Sequence, residues 1–170
     1  MNELLVRPVR PEDAPDLTDL INEIIGEGGT TAFERPFTSD RLAQQYLSGP
    51  SVVSAVVALD VSTGRLEGFQ ILGDFGTPLP KGWADIGTYV RLSSKQRGVG
   101  SALFAVTRER ARHLGLIAIN ATIRADNHGG LLFYAKQGFE DYAVQPAIPL
   151  GDGRRVDRVQ KRFRLTRKRA

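Results

Sequence analysis

Lys95-Gln96-Arg97-Gly98-Val99-Gly100-Ser101 joins an apolar, strand-like stretch, Ile86 to Val90, to a segment with helical periodicity. Two glycines one residue apart let the backbone turn tightly and approach a ligand. The N–H groups of a first helical turn lack intrahelical partners and lie at the positive end of the helix. Such a run can bind an anion, and a phosphate suits it. It is not a Walker loop, because Gly100 is followed by Ser101 and Ala102 rather than by Lys-Ser or Lys-Thr. It is not a dinucleotide fingerprint either, because Leu103 stands where the third glycine is needed and the run lies mid-chain. A tight strand-to-helix connection with no ligand is the competing explanation, so the surrounding elements have to decide.

Other chemistries are excluded by composition. The 170 residues contain no cysteine, which removes disulfides, thiolate metal sites and a cysteine nucleophile; two distant histidines, His113 and His128, build no metal cluster and read as helix-surface residues. The net charge of +4 is uneven, with nine basic and two acidic residues among 151–170 against fourteen basic and seventeen acidic before them. The body is thus mildly acidic. The basic run, Arg154 to Arg169, is expected to be solvated, with nucleic-acid binding as the less favoured reading. The N-terminus has no signal pattern, and the longest apolar run, Val52 to Leu59 broken by Ser54, is too short to span a bilayer, so a cytoplasmic protein without a membrane partner is expected.

The length fits one domain, 1–170. Leu4 to Val9 alternates as a strand. Pro11 to Ile25 is an amphipathic helix with Leu17, Leu20, Ile21, Ile24 and Ile25 inward, stopped by Gly26. A loop rich in Gly and Thr follows, then a short helix from Ser39, as N-cap, to about Leu47. Val52 to Asp60 and Leu66 to Leu72 form a hairpin about Ser62-Thr63-Gly64-Arg65, and Ala84 to Val90 is the strand entering the glycine run. The next helix carries Val99, Leu103, Val106 and Leu114 on one face and ends at Gly115. Leu116 to Ile123 is a strand, Asn127 to Lys136 a helix, and Phe139 to Val144 and Val156 to Leu165 are the last strands, the latter read as an edge because Val159, Phe163 and Leu165 alternate. The order is β-α-α-β-β-β-α-β-α-β-β.

With that order in place, the residues resemble the GNAT N-acetyltransferase superfamily. Its motif, Gln/Arg-x-x-Gly-x-Gly/Ala between the fourth strand and third helix, is matched by Lys95 to Gly100, with Lys95 where Gln or Arg is usual. A second signature is matched by Asn127, Tyr134 seven residues on, and Gly138-Phe139. Thr30-Thr31-Ala32-Phe33-Glu34 is similar to the acceptor-side loop of phosphinothricin-type acetyltransferases. The resemblance implies an α/β fold whose central mixed, mostly antiparallel sheet of six to seven strands is flanked by about four helices.

It also implies N-acetyl transfer from acetyl-CoA to the primary amine of a small-molecule or amino-acid-like acceptor. The diphosphate would lie on the amides of Arg97, Gly98, Val99, Gly100 and Ser101 with Lys95 beside it. The backbone of Tyr89 and Val90 would hold the pantetheine arm, Asn127 would bond that arm or cap its helix, and Tyr134 would protonate the departing thiolate. A phenol of pKa about 10 faces a thiol near about 8.5, a gap of about 2 kcal/mol. Asp85 resembles the acidic residue that some members use as base, with Glu27 and Glu34 as competitors. A carboxylate near about 3.9 is roughly six units, about 8 kcal/mol, short of a direct abstraction from an ammonium near about 10, so it needs a raised pKa, a relaying water, or an amine that arrives neutral. An acyl-CoA-binding sensor without catalysis is the alternative function, and a homodimer is left open.

Overall fold

The computed structural model describes residues 3–165. In chain order the elements are β1 (Leu4–Pro8), α1 (Ala14–Glu27), α2 (Ser39–Leu42, continued by a π-helical turn Ala43–Leu47), β2 (Val52–Asp60), β3 (Leu66–Gly73), β4 (Trp83–Val90), α3 (Val99–His113), β5 (Ala118–Arg124), α4 (His128–Lys136), β6 (Glu140–Pro149) and β7 (Arg155–Arg164). The seven strands form one sheet in the order β1-β2-β3-β4-β5-β7-β6, antiparallel throughout except for β4 beside β5. The mixed sheet with four helices agrees with the expected fold.

Alternation along the strands sends apolar side chains to two cores. Ala55, Val57, Phe69 and Ile71 pack with Leu17, Leu20, Ile21 and Ile24 of α1 and with Leu42 of α2. On the other face Leu72, Ala84, Ile86, Ile119, Ala121 and Ile123 cover Phe104 and Ala111 of α3 and Tyr134 of α4, and Val56 and Ala58 meet Val99 and Leu103. Each core seals one side of a sheet whose central strands are accordingly near-continuous hydrophobic runs. Arg7 ties β1 to the start of α1 by donating through Nη1 and Nη2 to the Asp13 carboxylate at 2.7 and 2.9 Å, and the Arg10 amide donates to the same group at 2.7 Å.

Several sequence expectations are corrected. Leu114 is 54% exposed, and the inward face of α3 is Val99, Leu103, Phe104, Thr107 and Ala111; a residue fifteen positions from Val99 has drifted round the helix. The cap of α2 is Thr38, whose hydroxyl accepts from the Arg41 amide at 3.3 Å. Strand β6 does not stop at Val144. It continues through Pro146 to Pro149, which the outer position tolerates because an edge strand need not donate every amide, with bulges at 141–143 and 145–148 and Ala147 at φ +51°. Strand β7 is therefore interior, between β5 and β6. Of the basic run, Lys161 pairs with Asp141 at 2.5 Å, Arg162 and Arg164 with Glu140 at 2.9 and 3.3 Å, and Arg154 with Asp152 at 2.7 Å. Those charges are engaged by neighbouring acids, and Arg167, Lys168 and Arg169 lie outside the described residues.

Candidate active site

The parallel pairing of β4 with β5 covers only Trp83↔Ala118, Ala84↔Ile119 and Asp85↔Asn120. Beyond Asp85, β4 continues to Val90 hydrogen-bonded to β3 alone, while β5 turns away along β7. The sheet forks there. Ile86 to Val90 thus have no strand on their β5 side, and unpaired backbone groups in such a gap invite an extended ligand to complete them. Tyr89 and Val90 lie in this one-sided stretch.

After β4 a 3₁₀ turn, Leu92–Ser94, leads into the glycine run. Gln96 and Gly98 take positive φ, +62° and +80°, and Gly98 is the left-handed N-cap of α3. The amides of Arg97, Gly98, Val99, Gly100 and Ser101 donate to no acceptor among the described residues; the first bond of α3 is Ala102 N–H to Gly98 C=O at 3.0 Å. The competing explanation, a plain connection, requires nothing of these five donors, whereas an anion site requires them free. The two glycines serve different ends. A side chain at Gly98 would meet nothing within 4 Å, so its need is conformational, whereas a Cβ at Gly100 would come 2.8 Å from the Phe133 ring, so its need is the close approach of α4 to α3. Lys95 and Arg97 are exposed beside this turn, and the exposed Ser101 hydroxyl accepts from Gln137 at 2.9 Å.

Tyr134 is 7% exposed on α4, with its hydroxyl 2.8 Å from Thr88 Oγ1 on β4 inside the fork. Thr88 in turn accepts from Gln70 Nε2 at 2.8 Å. A hydroxyl that accepts from an amide can point its own hydrogen at the phenol oxygen, which leaves the phenol proton free to be donated elsewhere. Burial pushes the Tyr134 phenol up to about 12, partly offset by the Thr88 hydrogen bond. That widens the gap to a thiol assumed from the sequence, since a free phenol near 10 is not what the fold provides.

Asp85 and Tyr134 are not on the same face of β4. Thr88, bonded to Tyr134, points toward the α3–α4 core. Asp85, an odd number of residues away, points to the face where Tyr89 stacks on Phe33 and Phe69 with centroids 6.1 and 4.9 Å apart. Only the fork connects the two faces. The carboxylate is 7% exposed, so it is no exposed charge at a strand end. Asp85 Oδ1 accepts from Asn120 Nδ2 at 2.6 Å, while Oδ2 is buried without a hydrogen-bond partner among the described residues. Burial raises its pKa, Asn120 and a more distant Thr77 hydroxyl lower it in part, and Asp74 raises it further. The carboxyl therefore lies above the ordinary carboxylate range.

Asn127 caps α4: its Oδ1 accepts from the Gly130 amide at 2.9 Å and its Nδ2 donates to the Thr30 carbonyl at 2.9 Å. With Arg124 Nη1 donating to the Thr31 carbonyl at 3.3 Å, it fastens the 30–34 loop beside the fork. Glu34 accepts from the Gly151 amide at 2.7 Å, and Glu27 is exposed at the end of α1. Neither has a buried carboxylate oxygen like that of Asp85. Sequence reasoning missed Gln70, Thr88, Asn120 and Tyr142. A signal was present for two of them, since Gln70 and Asn120 each interrupt an otherwise apolar run in a central strand.

Comparisons with known proteins give the family. The family model described as acetyltransferase (GNAT) family matches residues 20–139. The chain is 27% identical over 158 residues to phosphinothricin N-acetyltransferase of Streptomyces coelicolor, covering 91% of this chain and 92% of that one. It is 26% identical over 155 residues to the L-methionine sulfoximine/L-methionine sulfone acetyltransferase of Pseudomonas aeruginosa, covering 89% of each. Its fold is similar to the crystal structure of a phosphinothricin acetyltransferase from Sinorhizobium meliloti in complex with acetyl-CoA, with a TM-score of 0.81 at 21% identity over 95% of this chain and 88% of that one. With a family model spanning most of its length and a forked sheet above an open amide turn, the chain belongs to the acetyltransferase (GNAT) family.

Proposed function

We propose that this acyltransferase moves the acetyl group of acetyl-CoA to the primary amine of a small, amino-acid-like acceptor. The donor fits residues already on the page. The five free amides from Arg97 to Ser101 suit its diphosphate, with Lys95 and Arg97 as flanking cations, and the one-sided backbone at Tyr89 and Val90 suits its amide arm. The amino-acid-like acceptor is supported by the names of the two curated relatives, each of which covers about nine-tenths of this chain. A cytoplasmic site of action is supported by the donor itself, which is an intracellular metabolite; among the described residues no helix is long and apolar enough to cross a membrane.

The single observation that carries this reading is the conjunction, at one fork, of unpaired amides with a buried phenol. The turn holds the donor, the fork directs its acyl end between β4 and β5, and Tyr134 supplies a hydrogen-bond donor for the sulfur as it gains charge. Asp85, on the acceptor face, takes the proton that the amine must lose, directly or through one water. The acceptor is enclosed by the tethered 30–34 loop and by the aromatic wall of Phe33, Tyr46, Phe75 and Tyr89.

The test is free-thiol release from acetyl-CoA against a panel of amino-acid-like amines, repeated with Tyr134→Phe. Turnover with an acceptor, lost in the variant, is expected. Thermal stabilisation by acetyl-CoA with no turnover of any amine would instead favour a non-catalytic acyl-CoA sensor.

A further inference from the structure

Asn120 and Tyr142 have no part in the reading above, yet they form a buried polar chain that ends on Asp85. Asn120 is fully buried in β5 between Ile119 and Ala121. Its Nδ2 donates to Asp85 Oδ1 at 2.6 Å and to Thr122 Oγ1 at 3.1 Å, and its Oδ1 accepts from the Tyr142 hydroxyl at 2.5 Å. Every hydrogen and the carbonyl of this amide are therefore in use. The orientation is forced, because turning the amide over would set its oxygen against a carboxylate oxygen, two acceptors with no hydrogen between them. Tyr142 is held in turn by the edge of Trp83, centroids 5.6 Å apart, and by the Arg162 guanidinium 5.6 Å over its ring, which is itself anchored by Glu140 at 2.9 Å.

We propose that Asn120 and Tyr142 are positioning residues that immobilise Asp85 through Oδ1 and so present Oδ2 as the atom that takes the acceptor's proton. Three observations carry this. Oδ2 is the buried oxygen left without a partner. The Asp85↔Asn120 pair is the last rung before the strands part, so the carboxylate stands at the mouth of the fork. Next to it in the chain, between β3 and β4, a pocket of about 220 Å³ is lined by Asp74, Thr77, Lys81 and Trp83, and Asp74 and Thr77 both influence the carboxylate. In the step, an ammonium N–H bond breaks, the electron pair stays on nitrogen, and the proton passes to Oδ2, leaving Asp85 neutral. The Asn120 hydrogen bond to Oδ1 favours the charged form and so opposes part of the rise that burial causes. The other groups bearing on Asp85 are Asp74 on the β3–β4 loop, which disfavours its charge, and Tyr142 on β6, with Arg162 of β7 facing Tyr142.

This inference rests on Asp85 being the base, and the test separates the two. Trp83 is the only tryptophan and touches Tyr142, so its fluorescence reports the ionisation of Asp85 without any acceptor. Wild type should show one step above the ordinary carboxylate range; Asn120→Ala should move it to higher pH, and Asp85→Asn should abolish it. In parallel, kcat/KM with methionine sulfoximine as the probe acceptor should fall at least about tenfold in Asn120→Ala, the loss expected for a hydrogen bond to a charged group, and by a smaller factor in Tyr142→Phe, whose hydroxyl meets the neutral Asn120 amide. Its lower pH limb should follow the fluorescence step, and the KM for acetyl-CoA should stay unchanged. A fluorescence step absent from wild type, or unmoved in folded Asn120→Ala, overturns the positioning role. Full turnover with the wild-type pH limb in Asp85→Asn overturns the base reading itself.

Discussion

Replacing Tyr134 with Phe removes one oxygen from a buried site and leaves the ring in place between Phe133 and Phe139, 5.0 Å from each. The hydroxyl it removes accepts from Thr88, which loses the partner of its own hydrogen but keeps its bond from Gln70, so the stability cost should be about 1–2 kcal/mol. The catalytic cost is larger. With the phenol at about 12 and a thiol near about 8.5, full proton transfer to a sulfur of ordinary basicity is uphill by roughly 5 kcal/mol. Tyr134 therefore works chiefly as a hydrogen-bond donor to charge developing on sulfur, worth about 1.5–3 kcal/mol for a charged partner. That converts to a loss in kcat of about 10- to 150-fold at about 1.4 kcal/mol per tenfold. The assay is thiol release at saturating acetyl-CoA and acceptor, alongside thermal stabilisation by acetyl-CoA, which should be unaltered. A kcat within twofold of wild type, with the fold intact, would refute the reasoning.

Gly98→Ala places a Cβ at φ +80° and should raise the KM for acetyl-CoA at least tenfold by disturbing the amide turn, with about 1–2 kcal/mol of lost stability. Gly100→Ala meets the Phe133 ring at 2.8 Å and should cost about 1–3 kcal/mol by overpacking, seen as a lowered Tm that Phe133→Leu partly restores. The Arg7 hydrogen bonds hold the Asp13 carboxyl below its ordinary value, so its contribution is complete above an unfolded pKa of about 3.9 and is lost as pH falls through the lower folded pKa. Asp13→Asn should thus unfold earlier in denaturant at pH 7, by about 2 kcal/mol, and match wild type near pH 2. Asp85 is the reverse case. Its folded pKa is raised, so the protonated form stabilises the fold at low pH and that stability is lost as pH rises through the folded pKa. Asp85→Asn should melt no lower than wild type at pH 8 and lose that advantage below about pH 4, the ordinary carboxylate range; a markedly lower Tm at pH 8 would contradict the buried charge.

Much of this was legible in the sequence because local rules agreed with the fold. The period of α1, the hairpin about Ser62 to Arg65 and the glycine run each signalled an element that formed. The strand after Val144 was not legible, since Pro146 and Pro149 argue against a strand unless it is known to be the outermost, and strand order is a long-range property. For the same reason β7 looked like an edge. The site divides likewise. Gly98, Gly100, Asn127 and Tyr134 sit on the consecutive α3-β5-α4 stretch with readable spacing, whereas Asn120 meets Asp85 across 35 residues and Tyr134 meets Thr88 across 46. Only the long-range Thr88–Tyr134 bond, read with strand alternation, shows that Asp85 and Tyr134 face opposite sides.

The most direct test of the central claim is the ¹⁵N–¹H spectrum of the protein titrated with coenzyme A and, separately, with pantetheine, which lacks the diphosphate. The amides of Arg97, Gly98, Val99, Gly100 and Ser101 should shift downfield together with coenzyme A and stay in place with pantetheine. Binding of coenzyme A with these five resonances unmoved would contradict it.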